Sequence, residues 1–152
     1  SDQWAENWQP SEAMKHVENA LTKTTDINAI VCANDGTAGG AIQALSEKNL
    51  DGKIIVTGQD ADLAACQRVA SGTQSMTIYK PIQSLAESAA VAAMQIIKNE
   101  TVTEATQMQN NGKIDVPAIL LPPVIVDKKN MMQVVIQSGY HKQSEVYDNL
   151  PR

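Results

Sequence analysis

Three pairs of polar residues in this sequence each follow a short apolar run. The pairs are Asn34 with Asp35, Gln59 with Asp60, and Tyr79 with Lys80. Together they provide an amide, carboxylates and an ammonium group, all of which form hydrogen bonds to a ligand. No nucleophile can be paired with a base from the sequence, because Cys66 falls within a predicted helix and neither His16 nor His141 is placed beside it. We therefore expect a binding site, and we predict that the protein is not an enzyme.

The apolar runs alternate with segments of helical periodicity. The runs span residues 28–33, 53–58 and 75–79, and the helical segments between them have apolar residues at intervals of three and four. Pro10 fits the first turn of the first helix, Asp60 is a candidate cap of the third, and Gly72 can end it. This order predicts an α/β fold, a three-layer αβα lobe with a parallel sheet. Because ligands bind outside the carboxyl ends of such strands, the three polar pairs are expected at one edge.

The chain after residue 80 has a different pattern. A helix beginning at Ile82 has an apolar stripe that must be covered, formed by Ile82, Leu85, Ala86, Ala89, Ala93, Met94 and Ile97. Residues 101–117 are predicted to form an extended connector. Pro122 and Pro123 make the next apolar run an edge or hinge segment. The tail from Tyr140 is polar and is predicted to be loosely held.

The glycine-rich segment after the first run does not fit a phosphate site. The spacing of Gly36, Gly39 and Gly40 matches neither a dinucleotide-binding loop nor a P-loop, and Asp35 would repel an anion. Close packing of the second helix on its strand, with a tight turn, explains these glycines at least as well as any role in ligand binding does. A phosphoacceptor site of the receiver type would need a second acid where Asn34 stands.

Composition excludes further classes of function. The 12 basic residues are scattered and the net charge is -5, so we expect no direct binding to nucleic acid. Cys32 and Cys66 are too few for a zinc framework and are predicted to be thiols. We predict no metal and no cofactor.

The remaining candidate is a polyhydroxylated neutral ligand. A carboxylate accepts hydrogen bonds from sugar hydroxyls, an amide donates and accepts, an ammonium group donates, and an aromatic ring packs against the C–H face. Asn34, Asp60 and Lys80 with Trp4 or Trp8 supply these groups. Core packing is the alternative role for one of the two tryptophans.

The runs ANDGTAGGAIQAL and GQDADLAACQRVASGTQSMTIYKPI resemble the sugar-binding proteins of the periplasmic-binding-protein type I class. Within that class the resemblance is strongest to members that bind the pentose D-xylose, and it extends over essentially the whole chain. It implies a protein of two hinged lobes that closes over one sugar. It also implies that this chain is the second lobe, with Trp8 stacking on the sugar and Asn34, Asp60 and Lys80 binding its hydroxyls.

The resemblance further implies a domain organisation. Residues 1–79 would form the body of the second lobe, residues 80–113 a hinge crossing with a helix that packs on the first lobe, residues 114–139 a returning hinge or edge segment, and residues 140–152 a polar tail. The first lobe is absent from this sequence. We therefore expect this chain to be part of a longer or two-piece protein whose partner is its own N-terminal lobe.

The function implied is that of an extracytoplasmic solute-binding protein. Such a protein would deliver a pentose, D-xylose being the expected one, to an ABC permease, or would signal through the ectodomain of a sensor histidine kinase. It would lie in the periplasm or be lipid-anchored at the outer face of the membrane. The alternative is the effector-binding core of a cytoplasmic LacI-type sugar-responsive repressor.

Overall fold

The computed structural model describes residues 1–148 and residue 150, and within them the chain forms two compact units. The first unit consists of Ser1–Tyr79 together with the chain from Val124 onward, and the second is Lys80–Pro123. The first unit therefore contains the ends of all three runs that precede the polar pairs.

From α1 to α4 the helices and strands follow in the predicted order. The first unit begins with a short 3-10 helix, Glu6–Trp8, and continues with α1 (Pro10–Lys23), β1 (Ala29–Val31), α2 (Asp35–Ser46), β2 (Ile55–Thr57), α3 (Leu63–Ser71) and β3 (Thr77–Tyr79). The second unit contains α4 (Ile82–Ile97), β4 (Gln107–Asn110) and β5 (Asp115–Ala118). The first unit then resumes with β6 (Val124–Val126), a π-helical turn over Met132–Ile136 and α5 (Gln143–Tyr147).

The sheet of the first unit is parallel at one side and antiparallel at the other. β1 and β2 are parallel, with Ala29 opposite Ile55, and an isolated parallel bridge joins Thr57 to Met76 just before β3. β6 pairs with β3 in the antiparallel direction, with Val124 opposite Tyr79. The α/β prediction with parallel strands is thus confirmed, and the antiparallel edge strand follows the two prolines that were predicted to confine this run to an edge.

The residues that were predicted to begin or end helices do so, with one exception. Pro10 is in the first turn of α1, and Gly72 ends α3 in the left-handed conformation at φ 98°. The prediction that Asp60 caps α3 is wrong. The residue that precedes α3 is Asp62, and its side chain makes no capping hydrogen bond.

Two apolar clusters form the core of the first unit. One lies between α1, α2 and β2 and includes Val17, Leu45 and Val56. The other joins α3 and β6 to the C-terminal segment. Val146 of α5 is fully buried there, so the prediction of a loosely held tail from Tyr140 is wrong for the described residues.

The second unit consists of α4 and a β-hairpin. β4 and β5 are antiparallel, and Gly112 in the turn between them has φ 89°, a left-handed value that favours glycine. Residues 101–117, predicted as an extended connector, therefore include most of a hairpin. Among the described residues of α4 none is buried, and the stripe that needs a cover is exposed, with Leu85 44% and Ile97 72% accessible.

Candidate functional site

Asn34 stands at the end of the β1 segment and caps α2. Its side-chain oxygen accepts hydrogen bonds from the Thr37 backbone N–H at 2.9 Å and from the Thr37 hydroxyl at 2.8 Å, while the Thr37 hydroxyl oxygen accepts from the Asn34 N–H at 3.2 Å. A backbone N–H can only donate, so this contact identifies the capping atom as Oδ1. The half-buried Asn34 side chain is thus left with its Nδ2 amide group as the donor available to a ligand.

Asp35, the next residue, is buried and is bound by the fold. Its Oδ2 accepts from the Thr77 hydroxyl at 2.7 Å and from the Asp62 backbone N–H at 3.0 Å, and its Oδ1 accepts from Gln74 Nε2 at 2.9 Å. Gly58 makes room for this carboxylate, because a Cβ at that position would overlap Asp35 Oδ1 and lie 2.7 Å from Gln74 Nε2. This carboxylate therefore has a structural role.

Burial shifts the pKa of both charged groups in this part of the fold, Asp35 and Arg68. Burial raises the pKa of the Asp35 carboxyl, and the hydrogen bonds from Thr77, Gln74 and Asp62 oppose that rise. Burial lowers the pKa of the Arg68 guanidinium, and the charge of Asp35 opposes that change. Arg68 donates to the Asp35 carbonyl oxygen at 2.8 Å and to Gln74 Oε1 at 2.9 Å. The network links the start of α2 to α3 and to the segment that enters β3.

The loops after β1 and β2 are joined directly. The Asp35 backbone N–H donates to the Gln59 carbonyl oxygen at 2.8 Å, and the Gln59 side chain reaches the Ala33 carbonyl oxygen at 3.4 Å. Asp60 follows at once, and its backbone N–H donates to the Ile78 carbonyl oxygen of β3 at 2.9 Å. The structure therefore brings together the loops that contain Asn34 and Asp60, as the order of strands predicted.

Asp60 and Ala61 have unusual backbone conformations. Their φ values are 112° and 55°, in the region that residues other than glycine rarely occupy. The carbonyl oxygen of Asp60 accepts from the Tyr140 hydroxyl at 3.4 Å, and that of Ala61 is 2.9 Å from His141 Nε2. The Tyr140 ring also packs against Tyr79, with ring centroids 4.8 Å apart. Asp60 is thus presented by a strained and closely supported turn.

Both tryptophans lie on the surface of the first unit. Trp8 is 66% exposed and Trp4 is 91% exposed, so the alternative that one of them packs in the core is wrong. Trp8 precedes α1 by two residues, and the first residue of α1, Pro10, contacts α2 at Gly40. Trp8 also lines a groove of about 800 Å³ with Trp4 and the β1 segment. The indole of Trp8 is accessible to a ligand.

Lys80 directly follows β3 and is the first residue of the second unit. Its role in ligand binding stays a prediction. The glycines of α2 have a different partner from the one predicted. A Cβ on Gly40 would overlap the Pro10 carbonyl oxygen, so this glycine seats α2 against α1 rather than against a strand.

Cys32 and Cys66 are both free thiols, as predicted. Burial raises the pKa of the Cys32 thiol to about 11 and that of Cys66 to about 12, so both are poor nucleophiles near neutral pH. Across residues 1–148 and 150, no cluster of His, Cys, Asp and Glu could hold a metal ion. In the same residues, no helix is both long and apolar enough to cross a bilayer.

Sequence reasoning missed the residues that support the site. They are Arg68, Gln74, Thr77, Tyr140 and His141. Their partners lie up to 80 positions away in the chain, and no local spacing reveals such a contact. One sequence feature could have indicated close packing around the site. It is Gly58, which directly precedes the polar pair that follows β2.

Several known proteins are similar to this chain in sequence and in fold. The D-xylose-binding periplasmic protein of Haemophilus influenzae is 49% identical over 147 residues, covering 96% of this chain and 44% of that protein. The protein of the same name from Escherichia coli is 51% identical, covering 95% of this chain and 44% of that protein. A solved solute-binding protein of a carbohydrate transporter from Chloroflexus aurantiacus, in complex with D-glucose, superposes with a TM-score of 0.81 at 37% identity, covering 95% of this chain and 43% of that one.

These three proteins are all longer than this chain. The chain spans less than half the length of each of these three proteins. A family described as periplasmic binding protein domain matches residues 1–101, about two thirds of the sequence. The chain therefore belongs to the periplasmic binding protein domain family.

Proposed function

We propose that this chain is the second lobe of a solute-binding protein that takes up a monosaccharide, with D-xylose as its preferred ligand. The observation that supports this most is the direct joining of the loops that contain Asn34 and Asp60, which sets an amide and a carboxylate at neighbouring strand ends. The names of the relatives from Haemophilus influenzae and Escherichia coli point to the same sugar.

Each proposed contact follows from the chemistry of its side chain. The Asp60 carboxylate accepts hydrogen bonds from sugar hydroxyls, and Asn34 donates through Nδ2 because its oxygen caps α2. Lys80 donates to a further hydroxyl. The exposed indole of Trp8 packs on the apolar C–H face of the sugar ring. A neutral polyol needs this mixture of donors, acceptors and apolar surface.

The second part of the proposal is a companion lobe. The relatives are more than twice as long as the matched segment, and the apolar stripe of α4 is exposed in the described chain. We propose that an N-terminal lobe covers this stripe and that the two lobes close over the sugar. The closed form then delivers the sugar to an ABC permease or signals through a sensor histidine kinase ectodomain.

The proposed location is extracytoplasmic. The two curated relatives are named as periplasmic proteins, which favours the periplasm over the lipid-anchored form. The comparisons give no support to the alternative of a LacI-type repressor core.

Calorimetric titration of the two-lobed protein with D-xylose tests the sugar site. Asp60→Ala leaves buried sugar hydroxyls without a charged acceptor, and we expect it to weaken binding by about 2–4 kcal/mol, roughly 30-fold to 1,000-fold. Asp62→Ala is the matched control. Asp62 belongs to the same turn, but its exposed side chain makes no capping bond to α3, so its loss should change the affinity less than about threefold.

Two results would contradict the proposal. One is an unchanged affinity in Asp60→Ala, and the other is the absence of D-xylose binding by the unaltered two-lobed protein. Titrations with D-glucose and D-allose under the same conditions distinguish a pentose site from a general monosaccharide site.

A further inference from the structure

We propose that Asp35 and Thr77 are positioning residues for the ligand, which act by holding the 60–62 turn in the conformation that presents Asp60. This inference rests on the proposed function for the identity of the ligand. The geometry of the turn supports it independently.

The 60–62 turn is held in a conformation that its own residues disfavour. Asp60 and Ala61 both have left-handed φ values, although neither is glycine. Backbones of this kind persist only where the surroundings fix them, and they are concentrated at functional sites. A glycine at position 60 would relieve the strain but would remove the carboxylate. The sequence thus has an acidic residue at a position where the backbone conformation favours glycine.

Every backbone N–H of the turn donates to a defined acceptor. That of Asp60 donates to the Ile78 carbonyl oxygen at 2.9 Å, that of Ala61 to Thr77 Oγ1 at 3.1 Å, and that of Asp62 to Asp35 Oδ2 at 3.0 Å. On the acceptor side, His141 Nε2 lies 2.9 Å from the Ala61 carbonyl oxygen. Since that oxygen can only accept, Nε2 carries a proton in this contact.

Asp35 and Thr77 form the centre of this support. The Thr77 hydroxyl donates to Asp35 Oδ2 at 2.7 Å and accepts from the Ala61 N–H, so one hydroxyl connects the carboxylate to the turn. Both residues are almost fully buried, with exposures of 1% and 0%, and cannot reach a ligand themselves. The effect of Thr77 on binding must therefore pass through the turn. Asp35 holds the same turn and is also the first residue of the helix that Asn34 caps.

Thr77→Val tests the role of the hydroxyl, because valine has nearly the same shape but cannot hydrogen-bond. Two measurements are made, amide hydrogen exchange at Ala61 and Asp62 and titration of the two-lobed protein with D-xylose. We expect faster exchange at both amides and an affinity about 10-fold to 100-fold lower. Thr77→Ser, which keeps the hydroxyl, should restore both values to within about threefold of the unaltered protein.

Two controls separate positioning from general stability. Ile42→Val removes a methyl group from the core of α1 and α2, and it should lower the midpoint of urea unfolding without changing the affinity. In an Asp60→Ala background, Thr77→Val should weaken binding less than about twofold further, since the side chain that the turn presents is already gone.

The outcomes are distinct for the two proposals. If the unaltered protein binds D-xylose and Thr77→Val binds equally well, the positioning role is overturned and the proposed function stands. If exchange at Ala61 and Asp62 is unchanged by Thr77→Val, the hydroxyl does not hold the turn, whatever the affinity. If no variant and no unaltered protein binds the sugar, the proposed function fails and the ligand part of this inference fails with it.

Discussion

Asn34 has two hydrogen-bonding ends, and the fold uses one of them. Its oxygen is shared between the backbone and side chain of Thr37, so α2 has a complete capping box. The sequence predicted a ligand-binding role for Asn34 and no other role. The structure shows that it also starts a helix, which fixes its side chain and directs the remaining amide group.

This division of roles predicts that Asn34→Asp separates binding from stability. A carboxylate still accepts from the Thr37 N–H, and a negative charge is favourable at a helix N-terminus, so we expect the free energy of unfolding to change by less than about 1 kcal/mol. The variant has no donor for a sugar oxygen, and we expect an affinity for D-xylose at least about 10-fold lower. Urea unfolding and calorimetric titration measure the two quantities.

Asn34→Ala provides the comparison. It removes both the cap and the donor, so it should lose about 1 kcal/mol of stability as well as affinity. If Asn34→Asp bound the sugar as tightly as the unaltered protein, the amide would not be a ligand donor and its only role would be the helix cap.

At the level of elements, α1 and α2 are in close contact at Gly40. A Cβ there would overlap the Pro10 carbonyl oxygen, and a backbone atom cannot rotate away as a side chain can. Gly36 lies one turn earlier, where the nearest atoms to an added Cβ are at 3.6 Å, an ordinary contact. The two glycines of the same helix therefore have different reasons to be small.

We predict opposite effects for the two alanine substitutions. Gly40→Ala forces α1 away from α2 and should lower the free energy of unfolding by about 1–3 kcal/mol. Gly36→Ala meets no such obstacle and should leave it unchanged or raise it by up to about 1 kcal/mol, because alanine favours the helix. Urea unfolding of the two variants measures both changes in the free energy of unfolding. Equal losses would show that the contact with Pro10 does not limit the approach of the helices.

The elements of the first unit were predictable because their signals are local. Pro10 and Gly72 mark helix ends by their own backbone preferences, and the apolar runs show the strands of the sheet. The hairpin of the second unit was not predicted. Its strands have little apolar alternation and include Pro117, so the pairing depends on the turn at Asn111 and Gly112 rather than on a buried face.

The candidate site was predictable in part for the same reason. Asn34 and Asp60 were found because each follows a strand, and strand order places them near one another. The role of Asp35 could not be found, because its partners Gln74 and Thr77 are 39 and 42 positions away and contact it only after the sheet has formed. Strain at Asp60 likewise depends on backbone angles that the residue type does not predict.

For the molecule as a whole, the exposed stripe of α4 predicts how the chain behaves without a companion lobe. Apolar surface of this extent favours association, so we expect the isolated chain to self-associate in sedimentation equilibrium experiments. Leu85→Lys should weaken that association by about 10-fold, since about half of a leucine side chain would be withdrawn from the contact.

Val91→Lys is the matched control for this prediction. Val91 is as exposed as Leu85, at 46% against 44%, but lies off the stripe. We expect it to change the association constant less than about twofold. An equal effect of both substitutions would show that the chain associates through some other surface or through non-specific contacts.

The pairing of β3 with β6 also has a consequence for the order in which the chain folds. The two strands meet at Tyr79 and Val124, and all of Lys80–Pro123 lies between them in the sequence. Closing a loop of this length costs roughly 3 kcal/mol of chain entropy beyond a constant term. On the ribosome, β1 to β3 are synthesised long before β6. During translation the β3 edge of the nascent sheet therefore stays unpaired until the second unit has been synthesised. The slow step of folding is therefore expected to be the arrival of β6, a contact that is distant in sequence yet closes the core.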